Sequence, residues 1–372
     1  TANFLNNGAE DIFVTGDKVT FNDDAANKNV VVGSGIMPSA VVFDNYQTDY
    51  TLSGNSIQGG TFTQKGAGST TISNVNSFTS VTIAGGNVYA SSLANTSGVD
   101  VGSLGDVNTK ITIQNGGVLQ TSTNINTAQK FTLGEDGGGF NVTGNTLTIT
   151  KPVTGDSKPV FKKGSGTLNF ASSAVNNNFG VFTVEAGTIQ CEPDYNTGTT
   201  TFKDTLVLRN GTTLRHNNGT GSYNTDVTKI KINSGSAKWY LDGRCNYLNK
   251  LFGAGTLVLY PQDNISRTML QLTGDDFTGI VDMEVNGSNA NLNGYDGYLL
   301  NLPNGTLNLG SGFTLHTQNV QDGKTTNIKV AKVSGSGTIT GSGTLYVGYD
   351  GDDYFTYSTP CSVKVYKVGT NE

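Results

Sequence analysis

A five-residue element, Gly-x-Gly-Thr-(Leu/Ile), returns along the chain at 164–168, 253–257, 335–339 and 341–345. A looser copy, Lys65-Gly66-Ala67-Gly68-Ser69, parallels Lys163-Gly164-Ser165-Gly166-Thr167. A second element, a Gly-rich turn feeding an apolar segment, recurs at 115–119, 186–189, 210–214 and 304–307. Neighbouring turns stand 22 residues apart from Gly116 to Gly138, 24 from Gly187 to Gly211, and 30 from Gly86 to Gly116. A repeat of that length is one supersecondary unit that cannot bury its apolar face alone and must stack on its neighbours. The segments between turns alternate apolar with polar, as in Thr146-Leu147-Thr148-Ile149-Thr150 and Thr228-Lys229-Ile230-Lys231-Ile232, the period of a half-buried strand. No stretch of a dozen residues carries a 3.6-residue period. The reading is all-β: a single-stranded right-handed parallel β-helix, capped at both ends, of about 14–17 coils.

Composition agrees. Hydrophobic residues make up 35% of the chain, against roughly 45–50% in globular domains, a range that also counts Gly. So little apolar material cannot fill one deep core, but it suffices for a narrow core needing a few residues per coil. Thr on the outer face packs well on a pleated surface, and Gly and Asn supply the corners. Residues 1–347 are assigned to the β-helix, with an N-terminal cap in about 1–30. Residues 348–372 are assigned to a C-terminal cap ending in an edge strand, Ser362 to Val368, whose lysines suit exposure.

Several function classes are disfavoured. The net charge is −6 and there is no run of Lys or Arg, so nucleic acid is not an expected partner. No apolar stretch approaches the ~20 residues of a membrane span, and no membrane insertion is expected. Cys191, Cys245 and Cys361 lie far apart without a C-x-x-C, which reads as buried small hydrophobes. The chain opens without a charged, apolar leader, and any signal peptide is expected to have been removed or omitted.

The stretch Phe161-Lys162-Lys163-Gly164-Ser165-Gly166-Thr167-Leu168-Asn169-Phe170, followed by Val184-Glu185-Ala186-Gly187-Thr188-Ile189, resembles the autotransporter passenger-associated β-strand repeat. The segments Leu133-Gly134 to Gly137-Gly138-Gly139, Asp17 to Asp24, Val41 to Asn45, Tyr50 to Gly54 and Leu272 to Gly279 extend the likeness over roughly residues 12–345. The resemblance implies a pectin-lyase-like right-handed β-helix in an exported bacterial protein. It does not imply an activity. The family's C-terminal translocator barrel has no counterpart after Val347, so truncation or another export route is expected.

Polysaccharide lyases and hydrolases use the same scaffold and are the rival reading. Asn224-Thr225-Asp226 resembles a polygalacturonase signature, but no Gly-His-Gly accompanies it, and His216 and His316 are the only histidines. A lyase needs a Lys, Arg or Tyr base and a group that neutralises the uronate carboxylate, often Ca²⁺ or arginine; the local candidates are Tyr240, Asp242 and Arg244, beside Trp239, the only tryptophan. Acids at Asp275 and Asp276, at Asp282 and Glu284, and at Asp350, Asp352 and Asp353 are calcium candidates through oxygen ligands, though none matches a known calcium loop. Tyr295, Tyr298, Tyr354 and Tyr357 are candidates for stacking on sugars. The preferred reading is a structural and adhesive protein, secreted or on the bacterial cell surface. It would be monomeric, without cofactor, and a binder of glycans or cell-surface components; the alternative is a lyase or hydrolase.

Overall fold

The computed structural model describes residues 4–95, 97–174, 177–192, 202–216, 223–224, 227–241, 245–261, 269–287, 291–294, 297–317, 324–348 and 361–368. Every regular element among them is a strand, and nearly all pair in parallel with a strand one coil away. The chain is therefore a parallel β-solenoid. It divides into two compact units, Thr1–Leu168 and Asn169–Glu372. Between them they carry about 13 turns, fewer than the turn spacings suggested. Coils with loop insertions, such as the 30 residues from Gly86 to Gly116, use more chain per turn.

In the first unit, six strands form one parallel sheet: Lys18–Asn22, Ala40–Asp44, Thr61–Gln64, Ser80–Ile83, Lys110–Ile113 and Lys130–Leu133. Register runs without a slip, so Ile111 faces Val81 on one side and Phe131 on the other. A slip of one residue would turn every apolar side chain outward. Val41, Phe62, Val81, Ile111 and Phe131 thus make one buried column. A second ladder joins Asn29–Val32, Tyr50–Gly54, Ser69–Ile72, Asn87–Ala90, Gly117–Thr121, Gly138–Val142 and Val160–Lys163. Aromatic rings step through the core, with Phe21 stacked on Phe43 at 4.8 Å, and Phe43 to Phe62 at 5.7 Å. Such pairs add about 0.5–1.5 kcal/mol each beyond the area they bury. Before the first coil, an antiparallel hairpin of Phe4–Asn6 and Ala9–Asp11 places Phe4 6.4 Å from Phe21.

Two of the Gly-x-Gly corners have a buried polar support that the repeat alone does not advertise. Two residues before the first glycine, Lys162 is fully buried, and its Nζ donates to the carbonyls of Gly164 at 2.6 Å and Gly166 at 2.5 Å. At the matching corner, buried Gln64 donates from Nε2 to Gly66 and Gly68 at 3.1 Å and accepts from Thr70 Oγ1 at 2.6 Å. Buried carbonyls need donors, and each of these two corners takes its donor from the strand that enters it. Burial lowers the Lys162 ammonium to about 8.

In the second unit, long strands turn a corner and serve two ladders. The strand Tyr298–Leu309 sets Leu300 against Leu272, then Leu307 against Val281. Phe170, Phe179, Phe182 and Phe202 pack as a buried aromatic cluster with centroids 5.3–6.1 Å apart. The last described strand, Lys364–Lys367, pairs in parallel with Thr344–Val347 and is exposed along its length.

Candidate functional site

The side chains with the most chemical potential gather on one ladder of the second unit. Its strands are Thr188–Cys191, Thr213–His216, Ser236–Leu241, Thr256–Pro261 and Ile280–Met283, each parallel to the next. Register decides which residues meet. Leu214, Trp239 and Leu259 fall in one inward column; Gln190, Arg215, Tyr240 and Tyr260 fall in one outward column.

Inside, Trp239 is fully buried and its Nε1 donates to Nδ1 of His216 at 2.9 Å. The indole is a donor only, so Nδ1 must carry the lone pair and the proton of the neutral ring sits on Nε2. Burial depresses the imidazole to about 3, because an imidazolium has no solvent there. At neutral pH His216 is an uncharged acceptor held inside the coil, out of reach of a substrate.

Outside, the Arg215 guanidinium lies 5.0 Å from the centroid of the Tyr240 ring, and Tyr240 stacks on Tyr260 at 4.9 Å and 15°. The stack follows from the fold: residues at one outward register position repeat at the inter-strand spacing of about 4.8 Å, close to the contact distance of two rings. Glu284 extends the same face, its backbone N–H bonded to the Leu259 carbonyl at 2.9 Å. Burial, then the neighbouring Asp282 charge, raises the Glu284 carboxyl; burial, then Tyr240 and Glu284, raises the Tyr260 phenol. Asn308 donates to Asp282 Oδ1 at 2.6 Å, and Ser334 donates to Asn308 Oδ1 at 2.8 Å. Polar groups on this face are thus handed from coil to coil.

Of the catalytic trio read from sequence, Tyr240 stands in this column, while Asp242 and Arg244 lie outside the described residues. Of the calcium candidates, Asp275 and Asp276 are exposed in the turn before Phe277, where the Asp275 carbonyl accepts from Asn304 at 2.8 Å. Asp282 and Glu284 do come together. Asp350, Asp352 and Asp353 lie outside the described residues, as do Tyr295, Tyr354 and Tyr357; Tyr298 is exposed at a strand start. Among the described residues no three His, Cys, Asp or Glu side chains form a group able to hold a metal. Sequence reasoning missed Arg215 and Tyr260 as partners of Tyr240. The signal was present in Leu214-Arg215-His216, Trp239-Tyr240-Leu241 and Leu259-Tyr260-Pro261, but it needs the coils laid in register. No family model, curated protein or solved structure matches the sequence.

Proposed function

We propose that this protein is an exported structural and adhesive surface component: a right-handed β-helical stalk of the autotransporter-passenger type that presents a glycan-binding face. One observation carries this reading. The side chains that would do chemistry elsewhere are spent within the coils: His216 on Trp239, Arg215 on Tyr240 and Asp282 on Asn308 from coil to coil, and Lys162 on the carbonyls of its own corner. A stalk needs that kind of coil-to-coil hold, whereas catalysis needs groups left for the substrate. The right hand follows from the strong preference of parallel crossovers, and the hairpin over Phe21 supports an N-terminal cap. The autotransporter likeness rests on the repeat motifs themselves.

A glycan array run beside a uronate-lyase absorbance assay and a reducing-sugar assay, each with and without Ca²⁺, tests the proposal. Binding to one or more surface glycans without turnover is expected. Turnover that is lost in Arg215→Ala or Tyr240→Phe, in a chain that still folds, would replace the stalk with the lyase or hydrolase reading.

A further inference from the structure

Another ladder of the second unit gathers positive charge that the sequence keeps apart. Its strands are Phe202–Leu208, Val227–Lys231, Cys245–Phe252 and Met269–Thr273, each parallel to the next. Leu206, Ile230 and Leu251 share one register position and are buried, so the positions on either side of them point outward. One outward column sets Lys229 directly opposite Lys250, with Thr273 on the next rung; the other sets Lys231 opposite Phe252. All three lysines are exposed, and Phe252 is half-buried. None of the three forms an ion pair among the described residues. Of the acids on these strands and the turn that follows, Asp204 accepts from the amide and hydroxyl of Thr205, and Asp275 lies past Gly274.

We infer that this face binds a glycan bearing sulfate or phosphate monoesters, one ester group seated among Lys229, Lys231 and Lys250. The inference rests on the glycan-binding reading, to which it adds the class of glycan and the ladder that holds it. Like charges directly opposite each other destabilise a sheet, so the Lys229–Lys250 pair does nothing for the ladder, and a bound anion turns its repulsion into attraction. Geometry narrows the anion. Lys229 and Lys250 stand about 4.8 Å apart across the rungs and Lys229 and Lys231 about 6.6 Å apart along the strand, while Lys231 and Lys250 lie about 8 Å apart on the diagonal. Ammonium groups on four-carbon stems can close that triangle on one group. A monoester turns three oxygens to three donors, whereas a carboxylate or a phosphodiester offers two. Phe252 presents an apolar surface to the C–H face of a neighbouring sugar. The first unit also opposes two lysines, Lys110 and Lys130, but there Thr112 and Thr132 stand where the basic face has Lys231 and Phe252.

The test is biolayer interferometry of the full chain on dextran sulfate, dextran phosphate, polygalacturonate, neutral dextran and duplex DNA, in low and high salt. Dextran sulfate, dextran phosphate or both should bind most tightly, more weakly as salt rises, and which of them binds identifies the ester. Lys229→Gln/Lys250→Gln should weaken that binding about tenfold or more. Lys110→Gln/Lys130→Gln removes the same charge from the first unit and should leave it within about twofold. All four positions are exposed, and Trp239 emission checks that both variants fold. Equal losses in the two variants, ester binding that survives Lys229→Gln/Lys250→Gln, or tighter binding of neutral dextran or polygalacturonate would overturn this inference and leave glycan binding standing. DNA bound most tightly through the same lysines would assign the face to nucleic acid instead. Binding to none of the glycans would overturn both readings.

Discussion

Acid should loosen the coil around Trp239 by about 3 kcal/mol between pH 7 and pH 4. The sign follows from His216, whose imidazole falls from an ordinary 6.5 to about 3 on folding. Above pH 6.5 it is neutral in both folded and unfolded chains and contributes no pH dependence. Between 6.5 and 3 the unfolded chain takes up a proton that the folded chain refuses. Stability is therefore fully present above 6.5 and drains away as pH falls towards 3. His316, also lowered by burial and hydrogen-bonded to Thr340 at 2.9 Å, shifts in the same direction. Since Trp239 is the only tryptophan, its emission reports the His216 site during urea unfolding. The wild-type midpoint should fall steeply between pH 7 and pH 4. In His216→Gln, which still offers Trp239 an acceptor but does not titrate, most of that loss should vanish. An equal loss in both proteins would assign the acid sensitivity elsewhere.

Gly86→Ala should destabilise the first unit by more than about 4 kcal/mol, a size reserved for backbone overlap or buried-network failure. Gly86 has φ +52°, and a Cβ there would lie 2.0 Å from the carbonyl oxygen of Gly68 and 2.7 Å from that of Gly66. Those atoms belong to the neighbouring coil's corner and cannot rotate away. Gly116 makes the matching control. Its φ is +74° with nothing within 4 Å of a Cβ, so Gly116→Ala should cost only the backbone penalty of about 1 kcal/mol. Unfolding free energies of the two variants, taken from urea titrations, that agree to within about 1 kcal/mol would mean that the corners are not packed coil on coil.

The solenoid was legible because its cause is local and repeated. Alternating segments such as Thr146–Ile149 and glycine corners such as Gly164–Gly166 appear in every part of the chain, and stacking is the only way such segments bury their apolar face. The supports of the corners were not legible. Gln64 and Lys162 occupy the same slot but differ in type, and the matching position before Gly253 is Leu251; the slot asks only for volume and, where a carbonyl is buried, a donor. Tyr240 was picked out beside sequence neighbours, yet its partners came from coils 20 and 25 residues away, Tyr260 and Arg215. In a ladder fold chemistry is assembled across rungs, and a linear motif search reads along them. The coil count ran high for a related reason: turn spacing measures the shortest coils, while insertions such as that between Gly86 and Gly116 lengthen others.

The register of adjacent coils can be read covalently. Thr112 and Thr132 stand directly opposite on parallel strands, about 4.8 Å apart and inside the roughly 4.4–6.8 Å that a disulfide spans between Cα atoms. Lys110 and Thr132 differ by two residues of register, about 8 Å on the diagonal and beyond that reach. Oxidation of Thr112→Cys/Thr132→Cys, followed by peptide mapping to set aside Cys191, Cys245 and Cys361, should give a near-complete cross-link, while Lys110→Cys/Thr132→Cys gives none. A cross-link that forms in the second pair and not the first would contradict the coil-on-coil register from which the fold, the corners and the Tyr240 column all follow.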